Sequence, residues 1–188
     1  MNYVVFALLL GTCGVNGVTL SSNATLQDIR EFLNTTATIY VYATSDPSFF
    51  DYEYSEEEMN ASCIHYRPML NYTDNYVFNM SYILNSTWYT KNVSAVVKNT
   101  TTLKRPSLME TFDEEGSKEL VLDVYNEQDG CSLFYTTGLR RLCEIHVLGK
   151  LVETYDNNTT DICRQRATKI CGKKVYKVYS KGCDNRSS

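Results

Sequence analysis

Between residues 39 and 148 the chain repeats one arrangement: short runs of alternating apolar and polar side chains, cut by polar turns. The runs are 39–43 (IYVYA), 63–67 (CIHYR), 76–84 (YVFNMSYIL), 87–97 (TWYTKNVSAVV), 119–126 (ELVLDVYN), 131–136 (CSLFYT) and 142–148 (LCEIHVL). A period of two, rich in Tyr and Val, predicts strands, and their even spacing predicts an all-β sandwich or barrel. Two segments break the rhythm. SSNATLQDIREFLN puts Leu26, Ile29 and Leu33 on one helical face, with Thr25 and Asp28 placed to cap its start. TTDICRQRATKICG predicts a second helix, with Thr160 or Asp161 near its start and Gly172 just past its end. VYKVY at 175–179 adds a last short strand. Residues 18–188 show no repeat, linker or second domain, and they suffice for one core.

The first residues, MNYVVFALLLGTCGVNG, form an apolar run that ends in small side chains. They predict a secretory signal over 1–17, although a basic start is missing. Gly11, Thr12 and Gly14 interrupt the run too early for a membrane span, so no membrane attachment is expected. With Cys13 removed, Cys63, Cys131, Cys143, Cys163, Cys171 and Cys183 remain. An even set in a secreted chain predicts three disulfides, among roughly 15 possible connectivities. N-x-S/T sequons stand at Asn23, Asn34, Asn60, Asn71, Asn79, Asn85, Asn92, Asn99, Asn157, Asn158 and Asn185. Chance would give roughly one or two, so an extracellular glycoprotein is expected.

The net charge of −4 is unevenly spread: residues 163–188 hold eight basic side chains and one acidic. This segment is expected to complement an acidic body; heparin contact through Lys173, Lys174, Lys177 and Lys181 is the alternative. An acidic secreted chain argues against nucleic acid as a partner. No CxxC pair occurs, and His65 and His146 are the only histidines, so neither a metal nor a cofactor is expected. Nor is catalysis, since Ser132 and His146 lack an identifiable orienting acid and oxyanion site. Asp51, Glu53, Glu56, Glu57 and Glu58 predict a solvated loop. Asp113–Gly116 predicts a hairpin turn, with calcium binding as the alternative.

The sequons also set strand register, because a glycosylated Asn faces solvent and side chains alternate. Use of Asn79 turns Tyr76, Phe78, Met80 and Tyr82 inward. Use of Asn92 turns Trp88 and Thr90 outward and Tyr89, Lys91 and Val93 inward. Tyrosines and a lysine inside a barrel suit a ligand cavity better than a plain core. Lys91 either reaches inside or snorkels to the rim. Asp123 either faces outward or is a second cavity acid.

The ordered set DIREFLNTTATIYVY, DGCSLFY, RLCEIHV and CGKKVYKVYSKGC resembles the tick salivary lipocalins, the group that includes the histamine-binding proteins. The resemblance covers the whole mature chain. It implies an eight-stranded antiparallel lipocalin barrel with a short N-terminal helix at one end and a C-terminal helix packed outside. It also implies the bridges Cys63–Cys183 and Cys131–Cys163 and, with them, Cys143–Cys171. On that pairing Cys143 and Cys131 face out, while Glu144, His146, Ser132 and Phe134 face the cavity. A buried Glu144 then needs a cation, either a bound ammonium or Lys91. Glu144 matches a pocket acid of the histamine binders, and Asp46 before Pro47 matches another. The chain departs from them at Lys91 and Ser132, where acids are expected, and at Phe49, where a tryptophan is expected. The resemblance therefore implies a monomeric salivary protein that sequesters a small host inflammatory mediator. A biogenic amine such as histamine or serotonin leads. The alternatives are an eicosanoid or fatty acid clamped by Lys91, or inhibition of a host protein through outer loops. The candidate site comprises Glu144, His146, Asp46, Phe49, Tyr76, Phe78, Tyr82, Tyr89, Lys91, Ser132 and Phe134.

Overall fold

The computed structural model describes residues 23–46, 61–101, 103–112, 116–137, 141–158, 161–172 and 175–184. The expected signal segment, Phe49, the acidic run 51–58, residues 113–115 and the sequons at Asn60 and Asn185 lie outside these residues. Eight strands form the body: β1 (Ile39–Thr44), β2 (Ser62–Tyr72), β3 (Asn75–Leu84), β4 (Thr87–Asn99), β5 (Pro106–Phe112), β6 (Gly116–Asn126), β7 (Cys131–Thr136) and β8 (Cys143–Leu148). Each pairs antiparallel with its neighbour in chain order, and β8 pairs with β1. The start of β1 then pairs with β2, Ile39 opposite Tyr66 and Tyr40 opposite His65, which closes the barrel. This up-and-down closure is the lipocalin architecture, and it removes the sheet edges that would otherwise invite aggregation.

Alternation along the strands sorts the side chains into two layers. Ile39, Val41, Tyr66, Phe78, Val93, Leu108, Leu120, Leu122 and Phe134 belong to the inner cluster. Helix α1 (Leu26–Leu33) carries Ile29, Phe32 and Leu33 into it and covers one barrel end. A capping box fixes the start of α1: Thr25 accepts from the Asp28 amide, and Asp28 accepts from the Thr25 amide. Arg30 then grips Asp74 in the β2–β3 turn with two hydrogen bonds of 2.7 and 3.0 Å.

The outer cluster holds Tyr40, Tyr42, Val121, Leu133, Tyr135, Ile145 and Val147 under helices α2 (Val152–Asn157) and α3 (Ile162–Cys171). Asp161 caps α3 by accepting from the Arg164 amide, and Gly172 ends it with φ +58°, a conformation glycine takes without strain. The disulfides Cys131–Cys163 and Cys143–Cys171 tie α3 to β7 and β8. Near its end β1 leaves β2 and pairs with a two-residue strand, β9 (Tyr176–Lys177). The backbone after β9 fills the gap: the Val178 amide donates to Tyr42, and Val178 accepts from the Cys63 amide. Cys63–Cys183 locks this wedge. No helix among the described residues is long and apolar enough to cross a membrane.

Two elements escape the sequence pattern. Strand β5 opens on Pro106 and carries Glu110 at an inward position, so its apolar alternation is broken where it matters. Helix α2 is six residues long and buries only Val152 and Tyr155, too few contacts to register as a period.

Candidate binding site in the barrel

Strand β8 answers what a glutamate and a histidine are doing beside a cysteine. Cys143 faces outward to meet Cys171, so alternation turns Glu144 and His146 into the barrel. There Glu144 is 1% exposed and His146 3%. Isolated charge at that depth is prohibitive, and the partners are close. Lys118 of β6 donates to Glu144 Oε1 at 2.5 Å, and His146 Nε2 donates to Glu144 Oε2 at 2.9 Å. Glu110, on β5 directly across from Lys118, holds an oxygen 3.9 Å from the same ammonium. Its other neighbour is the Tyr66 hydroxyl, which donates to it at 3.5 Å.

Aromatic rings wall this chain of charges. The His146 ring lies nearly parallel to Tyr66, with centroids 5.8 Å apart, and is tilted 5.0 Å from Phe134. Ser132 sits across from His146 on β7; among the described residues its buried Oγ has no hydrogen-bond partner. A buried hydroxyl in that condition is uncommon.

The two glutamates lie in different fields. Burial alone would raise the pKa of Glu144, but the Lys118 charge and the His146 hydrogen bond outweigh it and hold the carboxyl at about 2. Burial also dominates at Glu110. There Lys118 only partly compensates and the Glu144 charge works against ionisation, so the pKa is raised. The cluster thus gathers two buried carboxyl groups around one lysine.

The remaining candidates divide by position. Tyr76 and Phe78 face inward and stack on each other at 6.1 Å, in the same inner cluster as the α1 residues. Tyr82, Tyr89 and Lys91 lie towards the end opposite α1. Tyr82 and Tyr89 stack at 5.6 Å, and Tyr89 is 44% exposed. Lys91 is half-buried, its Nζ 4.9 Å from the Phe112 ring centre and 5.7 Å from that of Tyr82. Asp46 follows β1 at that same end, half-buried, its amide donating to Thr44 Oγ1 at 3.2 Å.

A bound ammonium or Lys91 was expected to supply the cation for Glu144; of the chain's own lysines it is Lys118, not Lys91, that does so. Lys118 and Glu110 are the residues that sequence reasoning missed. Both share strand parity with apolar inward neighbours, Lys118 with Leu120 and Leu122 and Glu110 with Leu108 and Phe112, and that is the signal that finds them. Asp123 points outward, where Arg166 of α3 binds both its oxygens. His65 is packed outside against Tyr40 and Trp88, its Nδ1 2.9 Å from the Cys63 carbonyl. One group has metal-like spacing among the described residues, Cys131, Asp161 and Cys163, but both its sulfurs are in a disulfide.

No protein-family model matches the chain, and no curated protein sequence does. Among solved structures it is similar to apocrustacyanin C1, with 11% sequence identity, over 84% of this chain and 89% of that one, at a TM-score of 0.49. The lipocalin fold rests on the strand order and closure.

Proposed function

We propose that the protein is a secreted scavenger that holds a small organic amine inside the barrel. The observation that carries this is the inward cluster Glu110–Lys118–Glu144–His146, which has an acid in excess and aromatic walls. An ammonium placed beside Glu110 and the Tyr66 hydroxyl would stabilise the ionised carboxylate that burial disfavours, so that Glu110 gives up its proton as the guest binds. Charge-assisted hydrogen bonds would hold it, and the rings of Tyr66, Phe134 and His146 would add cation–π and stacking contacts. The free Ser132 hydroxyl would take a second polar group of the guest. Biogenic amines such as histamine and serotonin have this chemistry, an ammonium joined by a short chain to a flat ring. No turnover is required of such a protein; its action is stoichiometric. The three disulfides and the many sequons suit an oxidising, extracellular setting.

A second reading has its own observation. Lys91 lies against Phe112 and Tyr82 at the barrel end away from α1, where a carboxylate head could meet it. An eicosanoid or fatty acid would then extend its tail among the inward aromatic residues.

Native mass spectrometry on the secreted, enzymatically deglycosylated protein separates the two. The protein would be offered an equimolar pool of histamine, serotonin, a leukotriene and a thromboxane analogue. A one-to-one amine adduct that is lost in Glu110→Gln is the expected result. An eicosanoid adduct lost in Lys91→Met would replace the amine reading with the second. No adduct on folded protein would reject both.

A further inference from the structure

A groove lies outside the barrel, lined by none of the residues of the buried cluster. The last turn of α3, strands β6 and β7 and the β4–β5 connection enclose a groove of about 320 Å³. Its charged lining is Arg105, Asp123, Arg141 and Lys169, arranged around Tyr135. Asp123 offers the groove little negative charge, because it is buried and bound on both oxygens by Arg166 at 2.7 and 2.8 Å. Three cations from three separate segments therefore converge on one concavity.

Two of them are ordered by the same side chain. Tyr135 is 4% exposed; its hydroxyl accepts from Arg105 Nη1 at 3.3 Å, and its ring carries the Arg141 guanidinium 5.2 Å from the centroid. Holding like charges together in this way is unfavourable until an anion enters, and guanidinium forks match the oxygens of a phosphate or sulfate. Lys169, exposed on α3, adds a third positive charge. The groove is larger than the oxyanion alone, which leaves room for an organic substituent.

We propose that this groove binds a small phosphate or sulfate monoester, its oxyanion held by Arg105, Arg141 and Lys169. Calorimetric titration of the full disulfide-bonded protein at low salt tests it, with phenyl phosphate and phenyl sulfate as the probes. One-to-one binding of either ester is expected, and the preferred ester identifies the oxyanion. Arg141→Gln and Lys169→Gln, both at exposed positions, should each weaken binding by about tenfold. Lys181→Gln, an exposed lysine that does not line the groove, should leave it unchanged. The proposal is overturned if neither ester binds at millimolar concentration, if both groove variants bind like the wild type, or if Lys181→Gln weakens binding as much as they do.

Discussion

Glu110 and Glu144 share one lysine but should respond to mutation in opposite ways. Glu144→Gln removes the carboxylate nearest the buried Lys118 ammonium, with Glu110 at 3.9 Å, and breaking a buried ion pair costs about 3–5 kcal/mol. Urea denaturation at neutral pH should show a loss of that size. Glu110→Gln removes a carboxyl whose ionisation burial disfavours and leaves the Lys118–Glu144 bond in place. The pH trends follow from the two shifts. Glu144 is held at about 2, so its contribution is present above the ordinary carboxylate range and is lost as pH falls towards that value. Glu110 is shifted upward, so its contribution is present below the ordinary range and is lost as pH rises through the elevated value. Relative to wild type, Glu110→Gln should therefore gain stability as pH rises above the ordinary carboxylate range. A difference that stays flat as pH rises would contradict the assignment. At this scale Glu144 and His146 were legible because the resemblance paired the neighbouring Cys143 with the outer helix, which fixed their face. Lys118 was not, since it follows Gly116 and Ser117 and reads as part of a turn.

Among the elements, α1 depends on a single ring more than on its surface contacts. Phe32 is fully buried and meets Tyr125 edge-on at 5.8 Å and Phe134 at 6.2 Å. Phe32→Ala should cost about 3–5 kcal/mol in chemical denaturation. The half-buried Arg30–Asp74 pair should contribute little, because water and salt still reach and screen it. At the other end of the chain, Cys63–Cys183 spans 120 residues and holds the Val178 wedge between β1 and β2. Replacing both cysteines with serine should cost about 2–5 kcal/mol. It should also speed hydrogen exchange at the Val178 amide, whose bond to Tyr42 is then freed. The period-two runs made most strands readable, and the Thr25 cap and Gly172 made both longer helices so. Strand β5 was hidden by the feature that makes it interesting, an inward glutamate among apolar neighbours. Closure into a barrel is a long-range pairing of β1 with β2 that no local pattern encodes; the resemblance supplied it.

The whole molecule is an acidic body onto which a basic C-terminal segment folds back. Arg166 pairs with Asp123 at 2.7 Å, Arg164 with Asp161 at 3.3 Å, and Lys177 with Asp156. Sequons at Asn79 and Asn92 stand opposite each other on the outer face of β3 and β4, with Asn85 exposed at the turn between them. The anion groove lies under α3, so a ligand there and an amine inside the barrel would not compete. The central claim is that the buried cluster receives an ammonium beside Glu110, and it makes binding and proton loss from Glu110 one coupled event. The most direct measurement is the affinity for serotonin, followed by calorimetry from about pH 5 to pH 8, where an alkylammonium of pKa near 10 stays charged. The account predicts binding that tightens as pH rises in the wild type. In Glu110→Gln it predicts a flat profile, weaker by about tenfold or more at the upper end. Equal affinity and an equal pH profile in the two proteins would contradict it.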